Sequence, residues 1–356
     1  MRQAAHRLAR AWWPALLVAC CALLLAQAAL AAETGVQQNV LRPAGPQAGA
    51  IRELWHVLLL VCSGVLALVL AALALILHRR PQASAADAED APQPPQAPAE
   101  RRARRTVVGA VAGSTLLLLF LIVASFMTER ALARLSMDGA LRIDVTANQW
   151  WWDLRYDDAQ PANIFSTANE LVLPVGRPVL LTLRSSDVIH SLWVPALHGK
   201  KDLIPGRTAQ LTLRADQPGV YRGQCAEFCG FQHAFMALEV RVLPVPEYEA
   251  WAAHQRQPAP QPVDAQALRG RELFLSGTCV MCHAVQGTDA AARKVPDLTH
   301  FTGRSTLAAG TLPNTPEDLA RWIRDPQQHK PGVNMPASNL PEEDLRALVA
   351  YLRSLS

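Results

Sequence analysis

The sequence has little net charge and few aromatics. Lys and Arg number 34 against 30 Asp and Glu, a formal charge of +4, and Phe, Trp and Tyr make up 6%. A nucleic-acid binder would show a basic face, so that class is set aside. No Ser–His–Asp arrangement, phosphate loop or paired carboxylates appear, which argues against hydrolysis and phosphoryl transfer. Cysteine is scarce and odd in number, seven in 356 residues. Four lie in two short motifs, and Cys20, Cys21 and Cys62 lie in apolar runs, so no disulfide framework is left over. Cys62 reads as a buried small hydrophobe. Half the residues are hydrophobic, and the length allows two or three structural units.

Residues 225–236 read Cys-Ala-Glu-Phe-Cys-Gly-Phe-Gln-His-Ala-Phe-Met. Two thiolates, an imidazole and a thioether form a soft donor set, which selects copper over hard cations. Zinc takes Cys and His, but a thioether is not among its usual ligands. A tight loop cannot surround a metal on all sides, so one ligand is missing. His190, in Asp187-Val-Ile-His-Ser at a strand end 35 residues before Cys225, is the candidate. The competing reading is a disulfide between Cys225 and Cys229, as in many exported domains. It leaves the spacing of His233 and Met236 to coincidence. A blue-copper site uses one Cys, so two make a binuclear site with bridging thiolates more natural.

The pattern C-x-E-x-C-G-x-x-H-x-x-M, with Asp187-Val-Ile-His-Ser and Lys201-Asp-Leu-Ile-Pro-Gly-Arg207, resembles subunit II of the haem–copper cytochrome c oxidases. The resemblance covers about residues 50–245. It implies a binuclear copper centre, CuA. Cys225 and Cys229 would bridge two coppers, His190 and His233 would cap them, and Met236 would be a weak ligand. The Glu227 carbonyl would complete the set. In the family the Glu side chain at this position also reaches a magnesium at the border with subunit I, a role the resemblance extends to Glu227. His198, close to His190, reads as a surface residue.

Residues 1–32 read as a signal peptide: Arg2, His6, Arg7 and Arg10 precede an apolar run, and Ala29-Leu-Ala31 offers a cleavage site. A retained membrane helix and a lipoprotein box at Leu17-Val-Ala-Cys20 are the alternatives. A transmembrane hairpin is expected within 33–128, with helices at about 51–77 and 106–128. Arginines flank the loop between them at both ends, which makes that loop cytoplasmic and everything after it extracytoplasmic. One departure from the family is evident. Its second helix commonly opens with a Glu tied to proton uptake, where this chain has Arg104-Arg-Thr-Val-Val-Gly.

From Leu141 to Val242 short alternating runs are separated by turn signals at Pro174-Val-Gly, Pro205-Gly and Pro218-Gly. They predict an all-β sandwich, and the resemblance implies a cupredoxin-like fold for a CuA domain at 129–243. On a strand Trp150 and Trp152 face one way and Trp151 the other. The family carries an aromatic cluster here, and its first Trp lies between donor and copper, which makes Trp150 a candidate electron-receiving residue.

Residues 244–264 are Pro-rich and read as a semi-rigid linker. Cys279-Val-Met-Cys-His283 follows. C-x-x-C-H in an exported chain is the attachment signal for haem c, with His283 as axial ligand. A helix carrying Leu268, Gly270 and Phe274 precedes it. Another closes the chain with an apolar stripe of Leu345, Leu348, Val349, Leu352 and Leu355. The arrangement resembles an all-α class I cytochrome c domain at 265–356. Met335, before Pro336, is the only methionine after His283 and so the expected sixth ligand. His300 and His329 are its rivals.

Together these features resemble subunit II of a caa-type oxidase. The resemblance implies a multi-pass protein of the bacterial inner membrane with both redox domains on the periplasmic side. It would work with subunit I, subunit III and an external donor, cytochrome c or a quinol–cytochrome c reductase. Electrons would pass by haem c and copper to haem a of subunit I, for oxygen reduction with proton translocation. The alternatives are the CuA subunit of a nitric oxide reductase, a quinol oxidase subunit, and a membrane-anchored carrier, sensor or copper-delivery protein.

Overall fold

The computed structural model describes residues 36–79, 97–134 and 136–356. The chain divides into two compact units between Gln37 and Gln38. Of the first, Val36–Gln37 is an extended pair. The expected signal peptide and most of the expected cytoplasmic loop lie outside the described residues.

The second unit begins with two long helices, α1 (Pro46–Arg79) and α2 (Ala97–Leu132), which contact each other. Both are long and apolar enough to cross a membrane. Apolar side chains such as Leu60, Leu68, Leu116 and Ile122 are exposed, as lipid-facing positions require. Both helices outrun the expected spans. A helix satisfies its own backbone groups, so the turns of α2 continue through Arg101, Arg102, Arg104 and Arg105. Cys62, expected to be buried, is exposed because its helix is not part of a protein core. The start of α1 is tied to the next domain: Ala44 N and Ala48 N donate to the carbonyls of Ala196 and Leu197. A side chain at Gly45 would lie 2.2 Å from the Arg214 carbonyl oxygen, so only glycine permits this approach.

That next domain is a two-sheet sandwich. Its first sheet comprises β1 (Leu141–Asn148), β2 (Trp151–Asp157), β3 (Phe165–Ala168), β5 (Pro178–Ser185) and β8 (Ala209–Arg214). The second comprises β4 (Glu170–Pro174), β6 (His190–Trp193), β7 (Lys201–Leu203), β9 (Gly219–Cys225) and β10 (Ala237–Leu243). The orders are β3-β2-β1-β5-β8 and β4-β10-β9-β6-β7. The β1–β5 and β10–β4 pairs are parallel, and the other pairs are antiparallel. The alternation seen in the sequence is the cause. Ile143, Val145, Leu181, Leu183, Leu213, Leu238 and Val240 all point into one core and are almost wholly buried. Each such side chain contributes about 1.5–3 kcal/mol.

The expected spacer is partly a helix. α3 (Val245–Gln255) begins with Pro244 as its cap and Pro246 in its first turn, where a missing N–H costs nothing. It buries Tyr248 and Ala252, and Trp251 packs edge-on to Tyr156 and Phe165. The prolines therefore start a docked helix as well as stiffening the segment beyond it.

The C-terminal domain is helical. α4 (Ala265–Ser276) crosses α7 (Glu342–Ser354) at Gly270, where a Cβ would come within 1.9 Å of the Ala347 carbonyl. Phe274 and Tyr351 meet at 5.6 Å, and the whole stripe of Leu345, Leu348, Val349, Leu352 and Leu355 is in the core. Leu268 of α4 is exposed and takes no part in it. Between these helices lie a short hairpin, β11 (Thr306–Leu307) with β12 (Leu312–Pro313), then α5 (Pro316–Arg324) and α6 (Pro326–His329).

Candidate functional site

His190 opens β6 and Cys225 closes β9, and the two strands pair antiparallel with Cys225 opposite Leu192. Pairing thus brings the upstream imidazole to the loop. The loop is closed by backbone bonds from Cys225 N to Met236 O and from Ala226 N to Ser191 O. Cys225 Sγ lies 3.8 Å from His190 Nδ1, 3.8 Å from Cys229 Sγ and 3.2 Å from the Glu227 carbonyl oxygen. Cys229 Sγ lies 3.6 Å from His233 Nδ1 and 4.0 Å from Met236 Sδ. His190, Cys225, Cys229 and Met236 are nearly solvent-free, and His233 is half-buried. All six residues singled out in the sequence meet at one place, and both cysteines are free.

The Cys225 thiol is drawn well below its ordinary range, first by its contact with the Cys229 sulfur and then by His190. The same contact, with burial, pushes Cys229 up. Two neighbouring thiols cannot both ionise unless positive charge lies beside them. A soft donor set whose second thiolate needs such a charge fits a copper centre.

Asp187 was not expected to take part. Its Oδ1 lies 2.8 Å from His190 Nε2, so the carboxylate fixes which ring nitrogen faces Cys225. Burial lowers the His190 pKa, but the Cys225 and Asp187 partners outweigh it and leave the pKa raised. An acid three residues before the candidate histidine was the available signal. Glu227 turns its carbonyl inward and its carboxylate outward, 3.7 Å from Lys200 Nζ. That carboxylate joins no cluster of metal-ligand spacing among the described residues. His198 is half-buried rather than on the surface. Burial lowers its pKa, and its Nδ1 meets the Gly199 carbonyl at 3.3 Å.

Trp150 is buried beside the loop, and its Nε1 donates to the Cys229 carbonyl over 2.9 Å. Its other side is covered by the C-terminal domain: a Cβ at Gly332 would sit 3.5 Å from the indole. Beside it lies Lys330, 1% exposed, whose Nζ donates to the carbonyls of Trp150, Phe235 and Ala308. Burial lowers the Lys330 pKa to about 7, while three carbonyl oxygens favour its charged form.

The second site follows α4. A 3₁₀ turn (Thr278–Met281) carries Cys279, and the N–H groups of Cys282 and His283 donate back to the Cys279 carbonyl. His283 Nδ1 lies 2.8 Å from the Pro296 carbonyl, which leaves Nε2 as the free ring nitrogen. Burial lowers its pKa, favouring the neutral, ligating form. Cys279, Val280, Leu340 and Met335 are partly buried and pack against the domain core, and burial raises the Cys279 thiol. Two thiols, a free imidazole nitrogen and an apolar surround fit a covalently held haem. Of the rivals to Met335, His300 has both ring nitrogens on carbonyls, those of Ser356 and Gln257. His329 Nε2 is buried without a hydrogen-bond partner.

Residues 160–243 match the family described as cytochrome c oxidase subunit II, periplasmic domain, and residues 267–356 match cytochrome c. The cytochrome c oxidase subunit 2 of Alkalihalophilus pseudofirmus is 43% identical over 219 residues, 61% of this chain and 62% of that one. That of Bacillus sp. (strain PS3) is 38% identical over 260 residues, 67% of this chain and 71% of that one. The periplasmic domain of subunit II of cytochrome oxidase of Bradyrhizobium japonicum, a solved structure, aligns with a TM-score of 0.31 and 32% identity over 33% of this chain and 93% of that one. The chain thus spans 62% of the length of the first of these relatives.

Two membrane-length helices, a cupredoxin-like sandwich and a cytochrome c domain define a chain with two redox-type modules on one membrane anchor. The chain belongs to the cytochrome c oxidase subunit 2 family.

Proposed function

We propose that this chain is the electron-accepting subunit II of a terminal cytochrome c oxidase of the bacterial inner membrane. It takes electrons from an external donor, cytochrome c or a quinol–cytochrome c reductase, and hands them to haem a of subunit I. There oxygen is reduced to water with proton translocation. Subunit III completes the assembly, and both redox domains face the periplasm.

The observation that carries this reading is the convergence of two thiol sulfurs, two Nδ1 atoms, a thioether and a carbonyl where the 225–236 loop meets His190. His190, Cys225, Cys229, His233, Met236 and the Glu227 carbonyl would hold a CuA centre. Cys279, Cys282, His283 and Met335 would hold haem c. Bound there, both groups supply one-electron carriage. The chain's own residues do the rest. Asp187 orients His190, burial keeps water from the sulfurs, and the Pro296 carbonyl orients His283. Trp150, hydrogen-bonded to the Cys229 carbonyl, is the electron-receiving residue of the copper domain.

The test is affinity isolation of the intact chain from detergent-solubilised membranes, with an optical spectrum and metal content of the product. Co-isolated haem a, copper beyond this chain's own share and oxygen uptake on reduced cytochrome c support the reading. Copper and haem c alone would sink it in favour of a free carrier or sensor. Haem b with nitric oxide consumption would assign the chain to a reductase instead. Within the chain, Cys225→Ser abolishes the copper absorption, and a full copper complement in that variant contradicts bridging.

A further inference from the structure

A lysine at 1% exposure is the least expected side chain in this structure. An ammonium has three donors and no acceptor. Lys330 aims all three at carbonyl oxygens: Phe235 at 2.7 Å, Ala308 at 2.8 Å and Trp150 at 2.9 Å. Ala308 belongs to the cytochrome domain, and Trp150 and Phe235 belong to the copper domain. One side chain therefore closes a three-way junction between the two modules.

The surroundings reinforce it. Gln232 Nε2 donates to the Pro331 carbonyl over 2.7 Å. Ala237 N donates to the Ala309 carbonyl over 3.0 Å. At the hairpin tip Ala308 and Ala309 hold φ of 51° and 58°, a left-handed conformation that residues other than glycine adopt at a cost. Gly310 follows, where a Cβ would come within 2.9 Å of the Ala237 Cβ. Farther along the same face, Ser305 N donates to Glu170 and Ser305 Oγ to Glu239, both over 2.6 Å. Val333 packs against the sandwich core. What this contact covers is Trp150, left 6% exposed.

We propose that Lys330 is the positioning residue that seats the cytochrome domain on the Trp150 face of the copper domain, closing that face to any separate redox protein. It rests on the function proposed above for its electron-transfer meaning, and on geometry alone for the docking. Removal of the ammonium would leave three carbonyls facing each other in a buried junction without donors. The loop from Lys330 to Met335 would then lose its hold on Trp150. A soluble carrier, excluded in the native chain, would gain access to the indole.

The test uses the intact chain in its detergent-solubilised assembly and compares wild type with Lys330→Met, which keeps the stem and removes the donors. Hydrogen exchange is read at the Ala237 amide, whose acceptor lies in the other domain. The expected loss of protection is about tenfold, equivalent to about 1.4 kcal/mol. A core amide such as that of Val145 stays protected if the sandwich is folded. In a chain loaded with copper and haem, added reduced cytochrome c should reduce copper without first reducing the chain's own haem, in the variant only. Lys330→Gln, whose amide keeps only part of the donor set, should release the same amide more weakly and serves if Lys330→Met does not fold, while Gly310→Val, which intrudes on Ala237, is the control for release of the docked face. Unchanged protection of Ala237 in Lys330→Met overturns the proposal, and so does release in Gly310→Val alone. Persistent protection in Gly310→Val overturns the docked face itself. A wild-type chain that holds neither haem nor copper sinks the proposed function, yet the exchange result still decides the docking.

Discussion

Asp187 Oδ1 lies 2.8 Å from His190 Nε2, on the opposite side of the ring from the nitrogen that faces Cys225. The carboxylate also accepts from the backbone N–H groups of Gln149 and Val188, so it is itself held in place. Asp187→Asn keeps the shape and removes the charge. Copper affinity should fall by about 10–100-fold, the usual cost of losing a group that orients a ligand. Titration of copper into the metal-free chain against a competing chelator measures it.

Met335→Ala should leave haem attached through Cys279 and Cys282 but lower its potential, because a thioether ligand favours the reduced haem. His329→Ala should leave the potential unchanged. A redox titration followed by absorbance separates the two. An unchanged titration in Met335→Ala would remove Met335 from the ligand set and turn attention to the unpartnered His329 Nε2.

Gly230 sits at φ 111° in the ligand loop, and a Cβ there would meet the Gln149 amide nitrogen and the Trp150 ring at 3.0 Å. Gly230→Ala should cost about 1–3 kcal/mol through backbone strain and lower copper occupancy. Denaturation of the chain by urea, with metal analysis of the folded fraction, reports both.

Burial raises the Glu170 carboxyl from 4.5 to about 7. The folded chain therefore holds a proton there that the unfolded chain has released. Stability should fall as pH rises from about 4.5 to about 7 and then level off. Each pH unit across that window is worth about 1.4 kcal/mol. Glu170→Gln should flatten the slope while still accepting from Ser305 N. Unfolding midpoints measured across that window check it.

Much of this was legible because it is local. The ligand loop packs its donors into twelve consecutive residues, and strand alternation announces which faces are buried. Apolar runs long enough to span a bilayer need no tertiary information. What escaped reading depends on distant partners. Lys330 and Trp150 are 180 positions apart, and composition makes any lysine look solvated. The helix at Val245–Gln255 was masked by its prolines, whose effect at a first turn is the reverse of their effect inside a helix. The part played by Asp187 needed the turn that folds it back on His190. The exposure of Leu268 and Cys62 shows the converse: an apolar residue in a helical run does not reveal whether protein, lipid or water lies beside it.

α3 clasps the sandwich, so the tether between the two modules is only the short segment that runs from its end at Gln255 to the start of α4 at Ala265. A partner on so short a leash has an effective concentration in the millimolar range without any encounter in solution. Transfer between the modules should therefore be insensitive to ionic strength, since no charged surfaces have to find each other by diffusion. On the function proposed above, salt would act only on exchange with outside carriers.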